Sequence, residues 1–150
     1  MYKKIFLLLI LIISVSACDY TAVHSNKENE IEIKITDTTG DTEINNYISK
    51  ELKRKSKSSS EKIQIKINSN FSKRILAKDT KSFATDYELK VIGNFEMKKN
   101  NKSQSFTIIE KFRYKNLNDN YEQNNYEEMI KRNLAKTIVS KLNLRINNFK

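Results

Sequence analysis

Glu30-Ile-Glu-Ile-Lys-Ile35 alternates charged and apolar residues without a break, and the alternation returns in Lys62 to Asn68, with Ile63, Ile65 and Ile67 in phase. Period-two patterning of this kind puts one face of each segment against a core and the other in water, the mark of a half-buried strand. Between them, Ile44, Tyr47, Ile48 and Leu52 recur at helical spacing from Glu43 to Lys55, while Asn45, Asn46, Lys50, Lys53 and Arg54 take the other faces. Asp41 or Thr42 caps that helix, after a connection from Thr36 that carries Gly40. Lys55-Ser-Lys-Ser-Ser-Ser60 is a polar loop. A strand, a helix and a strand at this spacing form a right-handed crossover, which sets the two strands parallel.

Toward the C-terminus the pattern first weakens. Phe71 to Thr80 has no clean period and reads as an irregular connection or edge segment. Tyr87, Leu89, Val91, Gly93, Phe95 and Met97 then alternate with polar or charged neighbours, and Phe106, Ile108, Glu110, Phe112 and Tyr114 share one face of a second run. Lys99-Asn-Asn101 between them makes the pair a long β-hairpin. At about 3.3 Å per residue such strands are longer than a compact domain needs, so the tip with Lys98, Lys99 and Lys102 is expected to project. A final helix carries Tyr126, Ile130, Leu134, Ile138, Leu142 and Ile146 at four-residue steps, with Ala135 and Val139 beside them and Asn125 and Glu128 as its capping box. The expected class is α+β: a two-layer sandwich in which two helices pack on one face of a mixed four-stranded sheet, in the order β-α-β-β-β-α.

Working back from Glu30, residues 18–29 are polar and aperiodic, as a tether is. Residues 1–17 hold Lys3 and Lys4, an apolar run from Ile5 to Ile13 and small residues through Ala17, the order of an export leader. The apolar part is short of the roughly 20 residues that span a bilayer. Cys18, the single cysteine, follows Val15-Ser16-Ala17. That run resembles the lipobox of bacterial lipoproteins, with Val15 where Leu is usual, and implies cleavage before Cys18 and acylation of its thiol. Two or more acyl chains anchor stably where one binds marginally. Residues 30–150 then form a single domain.

The formal charge is +10, of which the part from Cys18 onward keeps +8. Basic proteins associate with phosphate-bearing partners. The heavy use of Lys, Asn and Ile with no Pro and two Gly equally fits a compositional bias. Catalytic parts are scarce: His24 is the one histidine, no second thiol exists, and two glycines make no phosphate loop. No catalytic and no metal residues are assigned, and no cofactor. Glu110 is the one acid among apolar neighbours, explained by an ion pair or by the projecting hairpin or, in the rival reading, as the acid of a small tethered hydrolase. No aromatic pattern of an RNA-binding sheet is present, so nucleic acid is not expected as a partner.

The lipobox cysteine, the strand-helix-strand unit, Arg74-Ile-Leu76, Tyr87-Glu-Leu-Lys-Val91, the long hairpin, Phe112-Arg-Tyr114 and Tyr126-Glu-Glu-Met-Ile-Lys-Arg-Asn-Leu-Ala-Lys-Thr-Ile138 together resemble the LPS-assembly lipoprotein family (LptE-type). The resemblance implies a lipoprotein on the periplasmic side of the outer membrane that plugs the lumen of an LptD-type β-barrel, helps assemble it and assists lipopolysaccharide delivery to the cell surface. It implies neither catalysis nor a cofactor. Family members commonly have Gly after the acylated cysteine. Asp19 stands there instead, a residue that in enteric bacteria tends to retain lipoproteins in the inner membrane, which leaves open a periplasmic module that recruits an envelope enzyme or an anionic polymer. From position alone, the candidates for lipopolysaccharide contact are Lys98, Lys99 and Lys102 at the hairpin tip, with Lys73 and Arg74 as secondary ones.

Overall fold

The computed structural model describes residues 31–117 and 119–149. The leader 1–17, Cys18, Asp19 and the tether with His24 lie outside the described residues. The elements are β1 (Glu32–Gly40), α1 (Thr42–Lys55), β2 (Lys62–Lys78), β3 (Ala84–Lys99), β4 (Lys102–Lys115) and α2 (Asn120–Asn148). The strands form one sheet in the order β1-β2-β3-β4, with β1 parallel to β2 and the other neighbours antiparallel. The class is α+β, in the expected order.

Alternation in the strands is the origin of the layers. Ile63, Ile65 and Ile67 of β2, Leu89, Val91, Phe95 and Met97 of β3 and Ile108 and Tyr114 of β4 turn to one face. There they meet Ile44, Ile48 and Leu52 of α1 and Ile130, Leu134, Ala135, Ile138, Val139, Leu142 and Ile146 of α2 in a single buried cluster. Burying each large aliphatic side chain is worth about 1.5–3 kcal/mol, which is what holds the amphipathic helices down. The opposite face of the sheet is covered by no element among the described residues. It carries the even-numbered residues of β2 and β3 and the odd-numbered residues of β4, paired across the strands as Asn68, Asn94 and Thr107 or Arg74, Glu88 and Arg113.

Four local expectations are corrected. The connection foreseen from Thr36 to Asp41 does not exist as a loop: β1 continues, with a bulge between Ile35 and Asp37, to Gly40. The chain then turns at once into α1, where the Asp41 carboxylate accepts the Ile44 N–H at 2.9 Å. Second, Phe71 to Lys78 is strand, because the ladder with β3 carries on past the point where side-chain burial stops.

Third, the end of the sheet that projects is the β2–β3 end. β1 stops opposite Ser69, so among the described residues β2 beyond it has a strand neighbour on one side only. The β3–β4 tip lies instead beside the start of β2, with Lys98 opposite Gln64. Fourth, α2 begins ahead of Asn125. Asp119 is its cap, accepting the Glu122 N–H at 2.8 Å, and Asn125 lies inside the helix.

Candidate functional site

The register of the sheet separates the five cations picked out from the sequence. Lys99 and Lys102 are the last pair of the hairpin and share the helix-covered face, whereas Lys98, one residue along, points to the open face opposite Gln64 and Ser103. Lys99 is further held by Glu61, whose carboxylate lies 2.9 Å from its Nζ. Lys73 and Arg74 sit opposite Leu89 and Glu88, nine residues along β3 from Lys98. At about 3.3 Å per residue the two groups are roughly 30 Å apart. They are two places, and each is split between two faces.

Around Lys73 and Arg74 the structure gathers residues that are distant in sequence. On the open face, Glu88 stands between Arg74 (Nε at 2.8 Å) and Arg113 (Nε at 3.0 Å) in one row across β2, β3 and β4. Its side chain is 1 % exposed, shielded by the two guanidinium groups, although no helix covers it. The Arg113 hydrogen bond, opposed by loss of water and aided by Arg74, holds its carboxyl below the usual carboxylate range. One acid is thus shared by two bases, and each guanidinium has five donors, more than a single carboxylate oxygen uses. Lys90 and Lys111 face each other in the next row. The open face is therefore strongly basic here.

On the helix-covered face, the next residues of the same segments build a different cluster. Tyr87 and Tyr114 stack with ring centres 5.5 Å apart, and Tyr126 of α2 meets Tyr114 edge-on. Lys73 lies 4.3 Å from the Tyr87 ring centre, a cation–π contact. Its ammonium reaches Glu127 of α2 at 2.6 Å, and Glu127 also accepts from the Tyr114 hydroxyl and from Gln123 at 3.0 Å. Burial alone would raise the Glu127 carboxyl, but the bonds from Lys73 and Tyr114 outweigh it and the group lies below its ordinary value. Burial, then the bond to Glu127, pushes the Tyr114 phenol far up. The bonds from Lys73, Tyr114 and Gln123 all converge on Glu127 Oε1, which makes the cluster a clamp between α2 and the sheet.

Glu110 is likewise occupied, by Lys141 of α2 at 2.5 Å. Among the described residues no three His, Cys, Asp or Glu side chains come together as metal ligands would. Farther along the open face lies a concavity of about 450 Å³ of mixed character, where Lys66, Asn68, Asn94, Glu96, Ser105 and Thr107 are joined by Ile67, Phe95 and Phe106.

The sequence matches no protein-family model and no curated protein. Solved structures do match. The rare lipoprotein B of Shewanella oneidensis superposes with a TM-score of 0.60 over 80% of this chain and 95% of that one, at 11% identity. A putative lipoprotein from Caulobacter crescentus superposes with a TM-score of 0.51 over 78% of this chain and 88% of that one, at 12% identity. The chain shares their fold. At such identity the likeness carries the arrangement of helices and strands and no individual residue.

The Arg74–Glu88–Arg113 row was absent from the sequence reading, though its parts lie in three segments quoted above: Arg74-Ile-Leu76, Tyr87-Glu-Leu-Lys-Val91 and Phe112-Arg-Tyr114. Base, acid and base on neighbouring strands were the signal. Using it required the register, which depends on β2 running through Phe71 to Lys78.

Proposed function

We propose that this chain is a bacterial envelope lipoprotein, acylated at Cys18, that wedges into the lumen of an outer-membrane β-barrel of the LptD type, helps it assemble and assists the passage of lipopolysaccharide. The observation that carries the reading is the fold shared with rare lipoprotein B, which takes in 95% of that chain, joined to Val15-Ser16-Ala17-Cys18 at the end of an export leader. The surface suits the role. Barrel interiors are polar, and the outer face of the sheet offers Lys66, Asn68, Asn94, Glu96, Ser105 and Thr107, side chains that a polar lumen accepts as water does. The phosphates of lipopolysaccharide match basic groups, each worth roughly 1 kcal/mol near an anionic surface. Arg74, Arg113, Lys90 and Lys111 supply one such patch, and Lys98 and Lys102 contribute at the other end. The role needs no catalytic group and no cofactor.

The deciding experiment is a pull-down of the tagged full-length chain from gently solubilised envelopes. A large β-barrel should copurify, and mass spectrometry of the mature N-terminus should find an acylated cysteine. An acylated monomer with no barrel partner would sink the barrel role. Asp19 favours a second reading, an inner-membrane-tethered module that recruits an envelope enzyme or an anionic polymer. Separation of the two membranes distinguishes them: the first places the protein with outer-membrane markers, the second with inner-membrane markers.

A further inference from the structure

The two edges of the sheet are treated very differently. β1 is 9 residues long and bulged, and its Ile33 N–H is taken by the Ser56 hydroxyl at 2.8 Å. Bulges and side-chain covers of this kind stop an edge from pairing with another chain. β4 is 14 residues long and pairs with β3 through its whole length without a register shift. It contains neither Pro nor Gly. Two of its large apolar side chains are exposed, Ile109 at 49% on the open face and Phe112 at 41% on the helix-covered face. Lys102, Lys111, Arg113 and Lys115 restrict the registers in which this edge can pair, and within those limits a long, regular strand with apolar groups on both faces is a template for a further strand.

We propose that β4 pairs antiparallel with β4 of a second copy of this chain, about a two-fold axis through Ile109, to form a continuous eight-stranded sheet. A two-fold axis normal to the sheet requires opposed residues to lie on the same face, so the axis must pass through a residue, and few residues serve. An axis through Glu110 or Lys111 sets like charges directly against each other, which is destabilising. An axis through Phe112 opposes Lys111 to Arg113. Through Ile108, Phe112 falls opposite Gln104 and Ile109 opposite Thr107. Through Ile109, the exposed isoleucine meets its own copy and Phe112 meets Phe106. In that register Lys111 faces Thr107, Arg113 faces Ser105, Lys115 faces Ser103 and Glu110 faces Ile108. Both exposed apolar groups gain apolar partners and no like charges oppose. The surface is isologous, as closed dimers require.

The inference is independent of the barrel reading, because it concerns the purified chain alone. Sedimentation velocity of the full-length protein in detergent should show a monomer–dimer equilibrium over rising concentration. Ile109→Lys places two ammonium groups across the axis at a position already half in water, and should weaken the dimer by about tenfold or more with the fold intact by circular dichroism. Thr39→Lys on the β1 edge should leave it unchanged. In a Cys18→Ser background, mild oxidation should link Ile109→Cys chains into dimers, since opposed strand residues lie within disulfide reach. Ser103→Cys chains, whose partner in this register is Lys115, should stay unlinked. A monomer at every concentration, a dimer indifferent to Ile109→Lys, or linkage through Ser103→Cys in place of Ile109→Cys would overturn it.

Discussion

Two glycines show how differently one missing methyl group acts in this fold. Gly40 has φ +89° at the junction of β1 and α1, and a Cβ there would stand 1.9 Å from the Ser69 carbonyl oxygen. That oxygen accepts the Asp41 N–H at 2.8 Å, so it cannot retreat without breaking the contact that seats α1. Gly93 has an ordinary φ, and its Cβ would press on ring atoms of Phe95 at 2.7 and 2.8 Å. A ring at the end of a rotatable side chain can shift. Gly40→Ala should cost about 3 kcal/mol or more, from a left-handed backbone plus a backbone clash. Gly93→Ala should cost about 1–3 kcal/mol, as an overpacked core does. Urea denaturation midpoints of the two variants check the order, and a Gly93→Ala that is the more damaging would contradict it.

At the scale of elements, α2 is fastened at its start and along its length by different means. Asp119 caps it and Asn125 does not, so Asp119→Ala should lose about 1 kcal/mol and Asn125→Ala less than half of that. Equal losses in thermal unfolding would place the helix start elsewhere. Farther along, Glu127 ties α2 to the sheet, while Glu43 of α1 receives Lys131 of α2 at 2.5 Å. The Lys131 hydrogen bond holds the Glu43 carboxyl below its ordinary value of 4.5, and Glu127 is also lowered from 4.5 once Lys73 and Tyr114 outweigh its burial. A carboxyl depressed in the folded state adds stability that is fully present above its unfolded pKa and lost as the pH falls through the folded one. The protein should therefore hold its denaturation midpoint from pH 7 to 5 and lose it steeply below 4.5. Glu127→Gln should lower stability by about 1–2 kcal/mol at pH 7 and flatten the acid limb. An unchanged acid limb would show that the clamp carries no charge-dependent stability.

For the whole molecule, the architecture was readable wherever a buried face imposed a period. Ile63, Ile65 and Ile67, then Leu89, Val91, Phe95 and Met97, alternate because α1 and α2 lie over them, and Ile44, Ile48 and Leu52 follow a helical step for the same reason. Where no described element buries the sheet, that source of pattern is gone. Ser72 to Lys78 are exposed on both faces, so no alternation marks them as strand and the segment reads as an irregular connection or edge, with Ile75, Leu76 and Phe83 exposed at the projecting end. Lysines at the β3–β4 turn looked like one cluster because sequence neighbours in a strand point to opposite faces only once the strand's limits are known. The Arg74–Glu88–Arg113 row demanded still more, a register across three strands. These two basic regions set the terms on which a molecule of charge +10 meets an anionic partner. Their separation of roughly 30 Å is about three screening lengths at 0.1 M salt, so each acts on a ligand by itself. Lys98→Glu with Lys102→Glu, and Lys90→Glu with Lys111→Glu, should each weaken binding to lipopolysaccharide aggregates in proportion to its own share, and the losses should add in log affinity when combined. Binding by the unaltered chain should decline as salt is raised. Titrations of the full-length protein at two ionic strengths test this: a loss confined to one pair names the contact, whereas salt-insensitive binding that survives both reversals would show that charge plays no part in it.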